Sequence, residues 1–115
     1  MHELAVCQSL MEQVEQIAVR EHAIRVVRIL LQIGPLSGVE AELVQQAFPI
    51  ASAGTVAEDS ELDIQLQPIE VRCNICGATS PATANNLVCA ACGDWHTSLV
   101  SGDEMMLLSV ELDRL

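Results

Sequence analysis

The chain has 115 residues, half of them apolar, and sets sixteen acids against five bases, for a formal net charge of −11. That length holds one ordinary domain, or a small domain plus a metal-stapled module, with enough apolar content for a core that does not depend on metal. The acidic balance excludes broad attraction to phosphate backbones, so no nucleic-acid partner is expected, and suits cations or basic proteins.

Met1-His2-Glu3 places an acid where a secretion signal needs positive charge, and the apolar stretch from Val26 to Ile33 is broken by Arg28 and Gln32, well short of a membrane span. A cytoplasmic protein with reduced thiols is expected. From Glu3 to about Glu21, Leu4, Cys7, Met11, Val14 and Ala18 recur at spacings of three and four, widened by Leu10 and Ile17, which predicts an amphipathic helix. Cys7 sits in that stripe as a small core residue. Because this helix starts close to Met1, Met1 and His2 are expected at the surface.

From Ile24 to Ile33 the pattern is extended, with Val27, Ile29, Leu31 and Ile33 as its apolar face and Val26, Arg28, Leu30 and Gln32 opposite. Gly34-Pro35 ends this strand. Ser37-Gly38 precedes a second helix, Val39 to about Ile50, lined by Leu43, Ala47 and Ile50 and weakened at its end by Pro49. After a connection over residues 51–60, Leu62, Ile64 and Leu66 alternate with Asp63, Gln65 and Gln67 in a strand with one wet face. Pro68 is the hinge into the cysteine segment. Beyond that segment, Met106, Leu108, Val110 and Leu112 form the apolar face of a last strand returning to the core, with Met105, Leu107, Ser109 and Glu111 on the other.

This order predicts an α+β fold: a small mixed three-stranded sheet packed with two helices, plus an inserted zinc-ribbon-like module. Residues 1–67 with 99–115 form the α/β domain and residues 68–98 the zinc-binding domain, which metal binding stabilises on its own account.

Cys73, Cys76, Cys89 and Cys92 carry the strongest chemical signal, because two Cys-x2-Cys pairs twelve residues apart match a tetrahedral zinc site, and Gly77 and Gly93 follow each pair directly. Two disulfides are the alternative, but a fifth cysteine is left over and nothing points to secretion. A four-thiolate zinc has no open position for substrate, so its role is structural. His96, four residues after Cys92, is an alternate ligand or an ordinary surface histidine beside Trp95.

At the other end, the α-amine of Met1, the backbone nitrogen that follows and the His2 imidazole can chelate one ion, with the Glu3 carboxylate adjacent. Such donors suit Ni(II) or Cu(II), and an amine with an ordinary pKa of about 7.7–8.0 makes the site labile near neutrality. The competing reading leaves His2 exposed and makes Glu3 a helix-start acid. Nucleophile elbows, phosphate loops and His-Glu-x-x-His are absent from the sequence, and paired Cys-x2-Cys-Gly knuckles fit zinc better than a thioredoxin-like redox site. One arginine, Arg72, and one aromatic, Trp95, between Ile69 and Leu99 offer little to a nucleic acid.

Met1-His2-Glu3 at the first helix, Ile33-Gly34-x-Leu36-Ser37-Gly38-Val39-Glu40, the paired Cys-x2-Cys and Gly102-Asp103-Glu104 before the last strand together resemble the HypA/HybF family of nickel metallochaperones, along the whole chain. The resemblance implies one structural Zn2+ and a transient Ni2+ cargo. Nickel bound at the N-terminus would pass, with a HypB-type GTPase, into the large subunit of nickel-iron hydrogenase, and some members also serve urease maturation through urease accessory proteins. It further implies ligation by His2 with the Met1 amine and local backbone nitrogen, Glu3 shaping affinity or partner contact, and Glu40 at an acidic position linked to the nickel site in some members. This chain lacks histidines immediately beside the knuckles, and His96 is the nearby substitute. The expectation is a carrier rather than an enzyme, a monomer or a homodimer exchanging modules through a hinge near Ser98 to Gly102. The competing class is a zinc-ribbon interaction or regulatory module in which His2 binds no metal.

Overall fold

The computed structural model describes residues 2–114, apart from the side chain of His2. The elements are α1 (His2–Arg20), β1 (Ala23–Ile33), α2 (Ala41–Ser52), β2 (Glu61–Leu66), β3 (Glu70–Cys73), β4 (Thr79–Pro81), β5 (Thr97–Ser101) and β6 (Met105–Arg114). They form two three-stranded sheets, ordered β2-β1-β6 and β4-β3-β5. β1 pairs parallel with β2 and antiparallel with β6, so the main sheet is mixed, as the sequence predicts. No helix among the described residues is long and apolar enough to cross a membrane.

α1 buries Cys7, Leu10, Met11, Val14 and Ala18, one stripe of a 3.6-residue period, against the sheet. Its polarity is complemented by Glu3 in the first turn and Arg20 in the last. His22, with φ of 55°, turns the chain directly into β1.

The predicted apolar faces are displaced in three places. In β1 the buried residue before Ile29 is Val26 and not Val27, because the ladder with β6 slips between Val26 and Arg28 and an extra residue swaps the alternation. In β6 the ladder slips again where Leu30 faces Ser109 and Leu31 faces Leu107, leaving Leu108 unpaired. Met105, Leu107, Val110 and Leu112 therefore pack on the core, while Met106 and Leu108 are exposed. In α2 the buried positions are Val44, Phe48 and Ser52, whereas Ile50 is 70% exposed. Pro49 lies inside this helix, which runs on to Ser52. It lacks only the N–H that the Gln45 carbonyl would receive, and the Gln45 side chain donates to the Leu62 carbonyl (2.7 Å), tying α2 to β2.

The second sheet has a small interior of Ile69, Val71, Cys73 and Cys89. β5 runs to Ser101, across the boundary between residues 98 and 99 that the sequence suggests for the modules.

The bulge in β1 has a measurable consequence. Val26→Ala is expected to cost about 2 kcal/mol of stability, and Val27→Ala less than about half of that, in urea unfolding of the zinc-loaded chain. A larger cost for Val27→Ala than for Val26→Ala would mean that the alternation runs unbroken.

Candidate metal centre

Each Cys-x2-Cys-Gly segment folds into the same knuckle, and the repetition follows from sequence. In the first, Gly77 N–H donates to the Cys73 carbonyl (3.0 Å) and Cys73 N–H to that of Ala78 (2.9 Å). In the second, Gly93 N–H donates to the Cys89 carbonyl (2.8 Å) and Cys89 N–H to that of Asp94 (2.9 Å). Both turns need a left-handed residue after the second cysteine, and Gly77 and Gly93 each have φ of 77°.

These turns aim backbone amides at the first sulfur of each pair. The amides of Ile75 and Cys76 donate to Cys73 Sγ and that of Cys92 to Cys89 Sγ, all at 3.4 Å. The four sulfur atoms lie within 4.8 Å of one another, with Cys73 to Cys92 and Cys76 to Cys89 each at 3.6 Å. A zinc ion ~2.3 Å from four sulfurs in a tetrahedron holds them ~3.8 Å apart, so the cluster fits that ion closely. Disulfides do not describe it, because all five cysteines are free thiols and the two closest approaches join different knuckles.

The thiol acidities follow the amides. Cys89 is drawn down to about 7, first by the Cys92 amide and then by that of Ala91, and Cys73 is lowered chiefly by the Cys76 amide. For the second cysteines an amide again pulls downward, from Ala78 on Cys76 and from Asp94 on Cys92. Crowding by neighbouring sulfurs together with burial outweighs it, raising Cys76 and pushing Cys92 up to about 12. Four sulfurs this close cannot all be anions without a cation among them, and a divalent ion supplies that charge. Since the ion must displace protons, its retention weakens as pH falls.

Two polar residues that sequence reading passed over hold the second knuckle to the sheet. Ser80 Oγ, nearly buried, accepts from the Ala90 amide (3.1 Å), and Thr97 Oγ1 donates to the Leu87 carbonyl (2.6 Å). A serine or threonine in a loop carries no sequence signal for such a bond.

The other predicted ligands do not join the cluster. His96 Nδ1 pairs with Asp94 Oδ1 (2.6 Å) and its ring stacks on Trp95 with centroids 3.7 Å apart. The amide and ring of His96, in that order, hold the Asp94 carboxyl below its usual range. Glu3 lines a groove between α1 and α2 with Leu4, Leu43, Gln46, Ala47 and Ile50. Glu40 is exposed at the N-cap of α2 and its carboxylate makes no capping bond. Cys7 is wholly buried, donates its thiol to the Val44 carbonyl (3.5 Å), and has its pKa raised by burial and then by Glu3. Met1 and the His2 side chain, the remaining nickel ligands expected from sequence, lie outside the described residues.

A family model described as hydrogenase/urease nickel incorporation, metallochaperone, HypA, matches residues 1–112. The hydrogenase maturation factor HypA of Nitrosospira multiformis is 49% identical over 112 residues, covering 97% of each chain. That of Aquifex aeolicus is 38% identical, covering 98% of each. Among solved structures, the nickel metallochaperone HypA of Helicobacter pylori superposes with a TM-score of 0.71 at 29% identity, covering 98% of both chains. A second HypA solution structure gives a TM-score of 0.73 at 31% identity, covering 97% of this chain and 96% of the other.

Replacing any one of Cys73, Cys76, Cys89 or Cys92 by serine is expected to abolish zinc retention and unfold residues 69–98, with the amide spectrum of α1, β1 and α2 little changed. Loss of the entire spectrum would show that the metal supports both layers. Ser80→Ala removes the bond from the Ala90 amide and is expected to destabilise the zinc module by about 0.5–1.5 kcal/mol, read from its thermal or urea transition.

Proposed function

The chain belongs to the HypA family of hydrogenase/urease nickel-incorporation metallochaperones, and from that premise we propose that its nickel binds at the N-terminus, through the Met1 amine, the following backbone nitrogen and the His2 imidazole. The protein is a nickel metallochaperone of hydrogenase maturation, a maturation factor and not a catalyst. What carries the proposal is the saturation of the cysteine centre. Four thiolates fill a tetrahedral ion, so cargo that must arrive and leave needs a different donor set.

Nitrogen donors at a chain terminus meet that need. Ni(II) accepts amine, amide and imidazole nitrogen in a planar arrangement, and an α-amine that protonates just above neutrality makes the complex reversible. Glu3 tunes affinity or touches the partner from the first turn of α1. Glu40, whose carboxylate is not used in capping its helix, is the further acidic donor. The resident ion is Zn2+ on Cys73, Cys76, Cys89 and Cys92, with His96 as a reserve donor. Residues 1–67 with 99–115 act as the nickel-binding domain and residues 68–98 as the zinc-binding domain.

The nickel is handed on in the cytoplasm, with a HypB-type GTPase, to the large subunit of nickel-iron hydrogenase, and urease accessory proteins form the alternative recipient route. The acidic surface, with 16 carboxylates against 5 arginines, suits basic faces on such partners.

Calorimetric titration of Ni(II) into the zinc-loaded chain tests the site. His2→Ala, and separately a short N-terminal extension that removes the free amine, should each weaken nickel binding beyond the roughly 10- to 100-fold typical of losing an outer-shell partner, with zinc content unchanged. Undiminished binding by either variant refutes the site as drawn, whereas no nickel binding by the native zinc-loaded chain favours a zinc-ribbon module without nickel.

A further inference from the structure

The peptide leaves the helical layer at Gln67-Pro68 and returns to it at Ser101-Gly102, so two strands of chain join the modules. Two such crossings would ordinarily form a hinge. Here both are fastened at one point to the turn that follows β1. Gly34 N–H donates to the Glu104 carbonyl (2.8 Å) and Leu36 N–H to the Gly102 carbonyl (2.7 Å). Gln67 N–H donates to the Ile33 carbonyl (2.9 Å), while its side-chain oxygen accepts from Gly102 N–H (3.1 Å). Ser101 Oγ donates to the Pro68 carbonyl (2.8 Å), linking one crossing to the other.

Sterics at this point are severe. A methyl group on Gly34 would lie 2.2 Å from the Gly102 carbonyl oxygen and 2.9 Å from the Asp103 nitrogen, both backbone atoms. One on Gly102 would lie 2.8 Å from Ile69 Cγ1, and Gly102 has φ of 113°, a conformation that residues with a Cβ avoid. Both glycines are buried. Ile69 in turn is buried in the small sheet, so the contact runs from the end of β1 through Gly102 to the zinc module's interior.

We propose that Gly34 and Gly102 are positioning residues: their backbone contact is a latch that fixes the zinc module's orientation against the helical layer. The latch also acts on the turn that leads to Glu40, because Leu36 is one of its donors and Ser37 N–H bonds back to the Gly34 carbonyl (3.0 Å). A partner that touches both layers thereby meets one preset surface. The inference rests on backbone geometry and stands whether or not nickel binds at His2.

Residual dipolar couplings of the zinc-loaded full chain test it directly. In the native chain one alignment tensor should fit the β2-β1-β6 and β4-β3-β5 sheets together. In Gly34→Ala, with zinc still at one per chain, two tensors should be required, and the Leu36 amide should exchange about tenfold faster or more while that of Leu31 keeps its native rate. A native chain that needs two tensors, or a Gly34→Ala chain that keeps one tensor and native Leu36 exchange, overturns the latch. If Gly34→Ala does not fold, the double substitution Gln67→Ala/Ser101→Ala removes only flanking bonds. It should raise Leu36 exchange, and an unchanged rate there equally overturns the proposal.

Discussion

Four thiols held within 4.8 Å set the terms for the zinc module and, through it, for the way this molecule is divided. Without a cation they compete, two drawn toward ionisation by backbone amides and two driven the other way by their neighbours. The apolar interior around them is little more than Ile69 and Val71 with the buried cysteines themselves. A module this small cannot offset its conformational entropy by burial alone, so metal-binding free energy is folding free energy there. The helical layer differs in kind: α1, α2 and the mixed sheet enclose a continuous core from Cys7 to Leu62. One chain thus contains two stability mechanisms, one hydrophobic and one ionic.

That division explains which features could be read from sequence. The cysteine spacing was decisive because zinc geometry is specified almost entirely by ligands and two glycines, all local in the chain. The long helix was equally legible, since its stripe repeats without interruption from Cys7 to Ala18. Strand faces were less so. A strand's alternation is predictable only until the ladder slips, and β1 slips against β6 at Val26 and again at Leu30, where pairing across some eighty residues decides the bulge. For α2, Leu43 and Ile50 look as suitable for burial as Val44 and Phe48; the choice is made by where the sheet and α1 lie. The Gly34–Gly102 contact joins residues so distant in sequence that no local pattern announces it, and Ser80 and Thr97 act through single bonds that composition cannot foretell.

The two metals follow a corresponding logic. A closed thiolate site holds its ion tightly and offers no coordination vacancy, which suits a scaffold. Cargo requires the reverse: few donors, exposure, and a proton that competes at physiological pH. A nickel site at the N-terminus, as proposed, would meet those requirements away from the thiolates, so that the two ions would use different donors, harder nitrogen for one and softer sulfur for the other. The latch then matters because separate sites need a fixed relation if one partner surface is to address both layers.

Affinity cannot make such a carrier selective, because Cu(II) binds nitrogen donors more strongly than Ni(II) at any comparable site. Discrimination must therefore come from which proteins dock. Arg20, Arg25, Arg28 and Arg114 all pair with carboxylates of this same chain, leaving a large excess of acids to face solvent. Exposed pairs of that kind contribute only about 0–1 kcal/mol each to stability, but they neutralise the cations that would blur the field. Surplus negative charge of this size would steer a basic partner toward the protein, and salt that screens it would slow encounter without altering the metal sites. Specific delivery, on this view, is a property of the surface and its fixed geometry, while the metal ligands supply only the capacity to let go.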